Sequence, residues 1–472
     1  EYAVINGKVQ ARWGRDVYDP DQITDRFVRE CAYRNKRPIV AKWAHNCADV
    51  FDWFIAAKPD MHICETSSSD VPDESKDLFL EPLYYPLPPH YDWMKEPFPT
   101  IPTSVHFMPD QTGIIMANMD KAMSTGKVTA YWGHFVEKLI KDGNRVTGVF
   151  ARDAKTGKYI KVSARKGVIL ATGEYGSNKE IVDYYVPEIS ENGVKSVWLN
   201  RDVEGNLTNT GDGLKMGARI GAAIQQNHAP MTHHMGGPFG MGGALGIAPF
   251  LFLNRDGKRF MNEDVPGQQV ENQLEMQPER RCYQIFDSRW REQVEFMPAG
   301  HGVVCAYDPG SEYEGKNHPR YSLSYRSEAE FEAELANGNM FKADTLEELL
   351  AKLNIDQAEA AKSIARYNEL AAQKRDADFN KTPSRLFPIV EGPFYAVPFG
   401  LTVMLACCGG LESDEDCHTY DEDRRIIPGL YVAGNIQGNR YAVEYPICMK
   451  GVSHSMCMYY GYVAGKNAVH GK

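Results

Sequence analysis

The end of the chain constrains its fold more than any other stretch. Gly429-Leu-Tyr-Val-Ala-Gly434 reads as a short buried strand that breaks at Gly434-Asn435, and Gly451-Val-Ser-His-Ser455 opens an apolar helix running from about Val452 to Ala468. Glycine at the end of a strand lets the backbone approach a ligand closely. A helix that starts just beyond it offers unpaired N–H groups and a positive dipole end to an electron-rich acceptor. Such an ending belongs to an α/β fold with a ligand seated beside the last helix.

An earlier segment repeats the theme. Lys166-Gly-Val-Ile-Leu-Ala-Thr-Gly-Glu-Tyr-Gly176 carries a four-residue apolar run ending in Ala-Thr-Gly, which predicts a buried strand that stops at a ligand. A three-stranded meander leads into it: Val128 to Ile140, Arg145 to Ala151 and Tyr159 to Ala164, turning at Asp142-Gly143 and Thr156-Gly157. Gly211-Asp212-Gly213 then opens a helix reaching Ala223, with Asp212 suited to cap it or to hold a hydroxyl. Leu251 to Asn262 is expected as a hairpin around Asp256-Gly257. Thr345 and Glu348 form a capping box at the head of two helices. Phe394 to Leu405 returns to β character. Strand-and-helix units at both ends around a different middle imply a split α/β domain with an inserted domain.

Bulk properties narrow the class. At 472 residues the chain is too long for one core. A net charge of −11 with no Lys/Arg-rich run argues against nucleic acid as a partner. No run of about 18 apolar residues predicts a membrane span. The ten cysteines contain no CxxC, so no metal is expected and most are read as buried thiols. No GxGxxG lies between a strand and a helix, although that fingerprint commonly holds a dinucleotide pyrophosphate.

Five collinear motifs carry a resemblance: Val168-Ile-Leu-Ala-Thr-Gly173, Thr210-Gly-Asp-Gly213, Asn254-Arg-Asp-Gly-Lys-Arg-Phe-Met-Asn-Glu263, Cys408-Gly-Gly-Leu411 and Pro428-Gly-Leu-Tyr-Val-Ala-Gly434. Together they resemble the flavoprotein family of fumarate reductase, succinate dehydrogenase and 3-ketosteroid dehydrogenase. The resemblance implies an α/β fold, a split Rossmann-type FAD-binding domain interrupted by an α+β capping domain. Boundaries are expected at 1–229 and 393–472 for the FAD-binding domain and 230–392 for the cap. It also implies FAD as cofactor, an N-terminal GxGxxG segment preceding Glu1, and flavin contacts from Thr172, Gly173, Asp212, Gly434, Asn435, Ser453 and His454. Asn435 stands where the family usually has Glu, which makes that contact neutral.

The substrate side departs from the fumarate pattern. The family's proton-donor arginine follows the Asn-Glu of the hairpin by about four residues, whereas here Asn262-Glu263 runs into Asp264-Val-Pro-Gly-Gln-Gln269. The family histidine before the late Gly-Gly maps to Leu405 or Ala406, and the arginine before the flavin-facing Gly maps to about Cys448. His233, 21 residues after Asp212, keeps the family spacing. Tyr445-Pro446, six residues before Gly451, resembles the Tyr-Pro and Gly pair by which ketosteroid dehydrogenases bind a ring carbonyl, with a spacing about two residues longer. A phenol O–H and a backbone N–H aimed at one oxygen form an oxyanion hole.

These readings lead to a FAD-dependent reductase of conjugated C=C bonds with Tyr445, Gly451 and His233 at the reacting centre. An alternative has Arg440 and Arg259 anchoring a monocarboxylate such as urocanate or an arylacrylate. A third is a flavoprotein fragment without activity. Each residue also has a plainer reading: Tyr445 as a packed tyrosine, His233 or His234 as a structural histidine, Asp212 as a cap, Cys448 as an inert thiol. The glycine-rich stretch Gly236 to Gly246 reads either as a wall over a bulky substrate or as an ordinary loop. The expected partners are an enone or enoate and an unidentified electron donor. The compartment, cytoplasmic or exported, is unreadable.

Overall fold

The computed structural model describes residues 1–64, 77–82, 91–97, 99–196, 200–233, 246, 248–265, 267–294, 296–297, 328–401 and 403–471. His234 and nearly all of the glycine-rich stretch 236–246 lie outside them.

Two parallel strands form the framework of the ligand-binding part. Val168–Leu170 pairs with Ile426–Val432 in the register Val168↔Leu430 and Leu170↔Val432, and Ala433 N–H continues the ladder to Leu170 O at 3.0 Å. Ala-Thr-Gly and Gly434-Asn435 therefore leave the carboxyl ends of adjacent parallel strands, where α/β sheets bind their ligands. Leu430 and Val432 are fully buried, whereas Val168–Leu170 is buried only at Leu170, with Ile169 39% exposed, so the full burial expected for that strand is not observed. The expected meander is present as His134–Asp142, Arg145–Asp153 and Tyr159–Ser163.

The final helix spans Val452–His470. Against it packs Arg37–Ile55, whose buried Trp43 donates from Nε1 to Ser455 Oγ at 2.9 Å. That bond ties the first turn of the last helix to the core. Gly451 caps this helix with φ +73°, and a Cβ there would stand 2.3 Å from the carbonyl carbon of Glu1. The close approach and the left-handed backbone both require glycine.

The middle of the chain is built on a four-stranded sheet in the spatial order Leu251–Asn254, Arg281–Phe286, Phe394–Gly400, Phe341–Ala343. Two helices, Leu346–Ala351 with the expected Thr345/Glu348 capping box and Gln357–Ala372, cover it. Tyr395–Gly400 pairs with Arg281–Phe286, and Phe394 with Ala343, so this strand belongs to the middle sheet. At the other end, Ala229–His233 pairs with Val403–Cys408, which places 230–233 beside the ligand-binding part. The expected hairpin is reduced to one bridge, Leu253↔Arg259. The side chain of Arg259 turns inward to Glu263 and Asp376, and burying that ion pair replaces a second strand.

Among the described residues no helix is long and apolar enough to cross a membrane, and no His/Cys/Asp/Glu group could hold a metal ion. The described cysteines form no disulfide with one another, and all but Cys457 are buried. Burial pushes the Cys448 thiol well above its ordinary range, which makes it inert.

Candidate active site

Gly173 and Gly434 sit at the carboxyl ends of the two parallel strands with φ of +73° and +76°, and nothing lies within 4 Å of where a Cβ would be. The space beyond both is open. Thr172 and Gly213 touch closely: a Cβ on Gly213 would fall 1.9 Å from Thr172 Oγ1. Gly211, with φ +71°, takes the cap position of the helix Asp212–Arg219. Asp212 is thus the first helical residue, and capping is not its role. Its half-exposed carboxylate accepts from Thr210 Oγ1 at 2.8 Å and pairs with Lys215 at 2.7 Å. Burial opposes its charge, but those two partners hold its pKa below the usual value.

The start of the final helix gathers four of the expected residues into one hydrogen-bonded group. Tyr445 is buried, and its hydroxyl oxygen accepts from Ser453 N–H at 3.2 Å. Ser453 Oγ lies 3.5 Å from Asn435 Oδ1, which also accepts from Arg440 Nη2 at 2.8 Å and from Cys457 Sγ at 3.7 Å. With Oδ1 occupied by three donors, the amide Nδ2 is turned away from them. Arg440 is 1% exposed, bonds Gln437 O through Nε, and lies over the Tyr441 ring at 5.0 Å. It is buried against Asn435 and Gln437, and its guanidinium is engaged by both. Arg259, the other expected anchor, is committed to Glu263 and Asp376.

His454 lies in the first turn of the helix, with Nδ1 3.1 Å from Glu1 O and its ring beside the buried Tyr2. His233 ends the strand Ala229–His233 opposite Val403.

A cavity of about 460 Å³ lies between the ligand-binding part and the inserted unit. Glu188, Pro230, Val443 and Glu444 line it from one side, Glu271, Asn272 and Glu275 from the other. Glu444 precedes Tyr445, and its carboxylate accepts from Asn272 Nδ2 across the interface. Sequence reasoning passed over Glu444. Its position beside the Tyr-Pro pair was the only signal available.

The paired strand ends, the open glycine turns and the helix terminus define a Rossmann-type dinucleotide flavoprotein. The chain belongs to the FAD binding domain family, which it matches over residues 10–452. It is 26% identical to the NADH:acrylate oxidoreductase of Vibrio harveyi, over 80% of this chain and 33% of that protein. It is 27% identical to the 3-oxosteroid 1-dehydrogenase of Mycolicibacterium smegmatis, over 69% of this chain and 56% of that one. The chain therefore spans roughly a third to a little over half of these relatives' lengths. Among solved structures, a 3-ketosteroid-Δ4-(5α)-dehydrogenase from Rhodococcus jostii RHA1 superposes with a TM-score of 0.64 at 17% identity, covering 100% of this chain and 87% of that one. That likeness bears on the fold.

The residues present fit FAD. Thr172, Gly173, Gly434 and Asn435 would hold it at the strand ends, with the amide end of the final helix and Ser453 beside them.

Proposed function

We propose that this chain forms the body of a FAD-dependent oxidoreductase acting on CH–CH bonds, which reduces or forms a C=C bond conjugated to a carbonyl. The observation that carries this reading is the composition of the interface cavity: four glutamates and no lysine or arginine among its described lining residues. A carboxylate substrate would enter that space against like charge and without a cationic partner, at a high desolvation cost. A neutral enone avoids both penalties.

FAD, when bound, supplies or accepts the hydride equivalent at the β-carbon. On this reading the Tyr445 hydroxyl meets the substrate's carbonyl oxygen at the helix start. Its oxygen is held by Ser453 N–H, so its own proton is left to donate. As negative charge grows on the carbonyl oxygen, that O–H and the N–H of Gly451 stabilise it. The buried phenol is held well above its ordinary pKa by desolvation, which keeps it a donor across the physiological range.

The named relatives include an acrylate reductase and an oxosteroid dehydrogenase, so both an enoate and an enone have precedent. The burial of Arg440 and Arg259 in other pairings favours the enone. Replacing Tyr445 by Phe tests the reading: turnover should fall roughly 100- to 1,000-fold with FAD still bound, the usual loss for one oxyanion donor. Unchanged turnover would refute it.

A further inference from the structure

The enone reading needs an acid to deliver a proton to the α-carbon, and the arginine that does this in the fumarate pattern is replaced by Asp264-Val-Pro-Gly. Resting on that reading, we propose that the carboxyl group of Glu444 is the proton donor, held at the wall of the interface cavity by Asn272 of the inserted unit.

Three observations carry the assignment. Glu444 lines the cavity and is adjacent in sequence to Tyr445, whose hydroxyl is anchored at the helix start. Its position is fixed from both sides of the interface: Asn272 Nδ2 donates to its carboxylate, and Cys31 Sγ lies 3.7 Å from its backbone carbonyl. Among the described residues the groups acting on its carboxyl are Asn272 and the acids Glu30 and Glu275, with no cation among them.

The groups facing Glu444 favour its neutral form. Burial raises its pKa, Asn272 draws it down, and the charges of Glu30 and Glu275 raise it again, to about 7. Glu271 and Glu188 complete the acidic surround. An acid poised near neutrality is suited to proton transfer in both directions.

The step balances without a further reagent. A hydride equivalent adds to the β-carbon as the C=C π bond breaks, and the electron pair moves to the carbonyl oxygen. The Glu444 O–H bond then breaks as the α-carbon C–H bond forms. Glu444 is left as carboxylate and regains a proton from water. In the reverse direction the carboxylate removes the α-proton.

The test uses the full-length, FAD-loaded protein, chemically reduced. Reoxidation is followed by flavin absorbance with 2-cyclohexenone and, separately, with ferricyanide, which needs no proton on carbon. Glu444→Gln should slow reoxidation by the enone roughly 100- to 10,000-fold, the range for general acid catalysis, and leave ferricyanide reoxidation unchanged. In the wild type the enone rate should fall as pH rises through about 7. Asn272→Leu, which removes a donor to the carboxylate, should move that limb to higher pH. Wild-type enone rates and an unmoved pH limb in both variants would overturn Glu444 while leaving the enone reading intact. A wild type inert toward enones but reoxidised by fumarate would overturn that reading and this inference with it.

Discussion

Arg440 Nη2 lies 2.8 Å from Asn435 Oδ1, and this bond decides which end of the Asn435 amide faces the gap beyond Gly434. A buried guanidinium that bonds a side-chain amide, a backbone carbonyl and a thiol keeps its full positive charge close to the helix start. It reinforces the dipole of the final helix, whose amino end already favours negative charge.

Replacing Arg440 by Met should therefore weaken FAD binding and lower the flavin midpoint potential. A loss of 1.4 kcal/mol of stabilisation of the reduced form corresponds to about 30 mV for two electrons. Lysine, which keeps the charge but not the forked geometry, should restore the potential better than the affinity. Potentiometric titration and FAD-binding measurements check both; an unchanged potential in Arg440→Met would remove Arg440 from the electrostatics of the site.

Arg385 joins the inserted unit to the N-terminal part. Its Nη1 donates to Asp264 at 2.7 Å and its Nη2 to Glu96 at 2.6 Å, and Arg26 holds the backbone of Glu96 and Pro97 in turn. Arg385→Met leaves Asp264, 1% exposed, as an uncompensated buried charge. Denaturant titration should register a loss of roughly 3–5 kcal/mol, the usual penalty for breaking a buried pair from one side. A loss under about 1 kcal/mol would place the pair in the class of exposed bridges.

His228 makes acid stability the third test. Its Nε2 faces Gln225 O at 2.7 Å, which assigns the N–H to that nitrogen, and Nδ1 receives the Tyr175 hydroxyl while Tyr185 stacks on the ring at 4.1 Å. Burial lowers its pKa to about 4 from 6.5, against the opposing effect of Gln225 O. The folded state keeps the ring neutral while the unfolded chain takes up a proton below 6.5, so stability is lost as pH falls from 6.5 toward 4. The full contribution is roughly 3 kcal/mol. In His228→Asn the stability curve should lie lower at pH 7 and approach the wild-type curve by pH 5; parallel curves would contradict the assignment.

Much of this architecture is legible in the residues because local rules and tertiary context agree there. Val168 to Gly173 and Gly429 to Gly434 combine apolar runs with terminal glycines, and Thr345 with Glu348 satisfies a helix start on its own. The partner of Phe394–Gly400 was not legible, for a physical reason. An apolar strand announces its burial but not its partner, and pairing with Arg281–Phe286 is a long-range choice. Arg259 read as the start of the hairpin's second strand and as a carboxylate anchor, because Asp376, one of its two ion-pair partners, is distant in the chain. Arg440 read as an anchor because sequence reports charge without direction. Glu444 was overlooked for the complementary reason: its environment is assembled from Glu30, Asn272 and Glu275, which are distant in the chain.

On the proposed reading the substrate cleft meets its ligand with neutral donors and carboxyl groups, and no guanidinium lies among its described lining residues. Stopped-flow reoxidation of the reduced, FAD-loaded full-length protein, with 2-cyclohexenone and fumarate compared at equal concentration, tests it most directly. Rapid reoxidation by the enone is expected, with none above background by fumarate. Faster reoxidation by fumarate would contradict the reading.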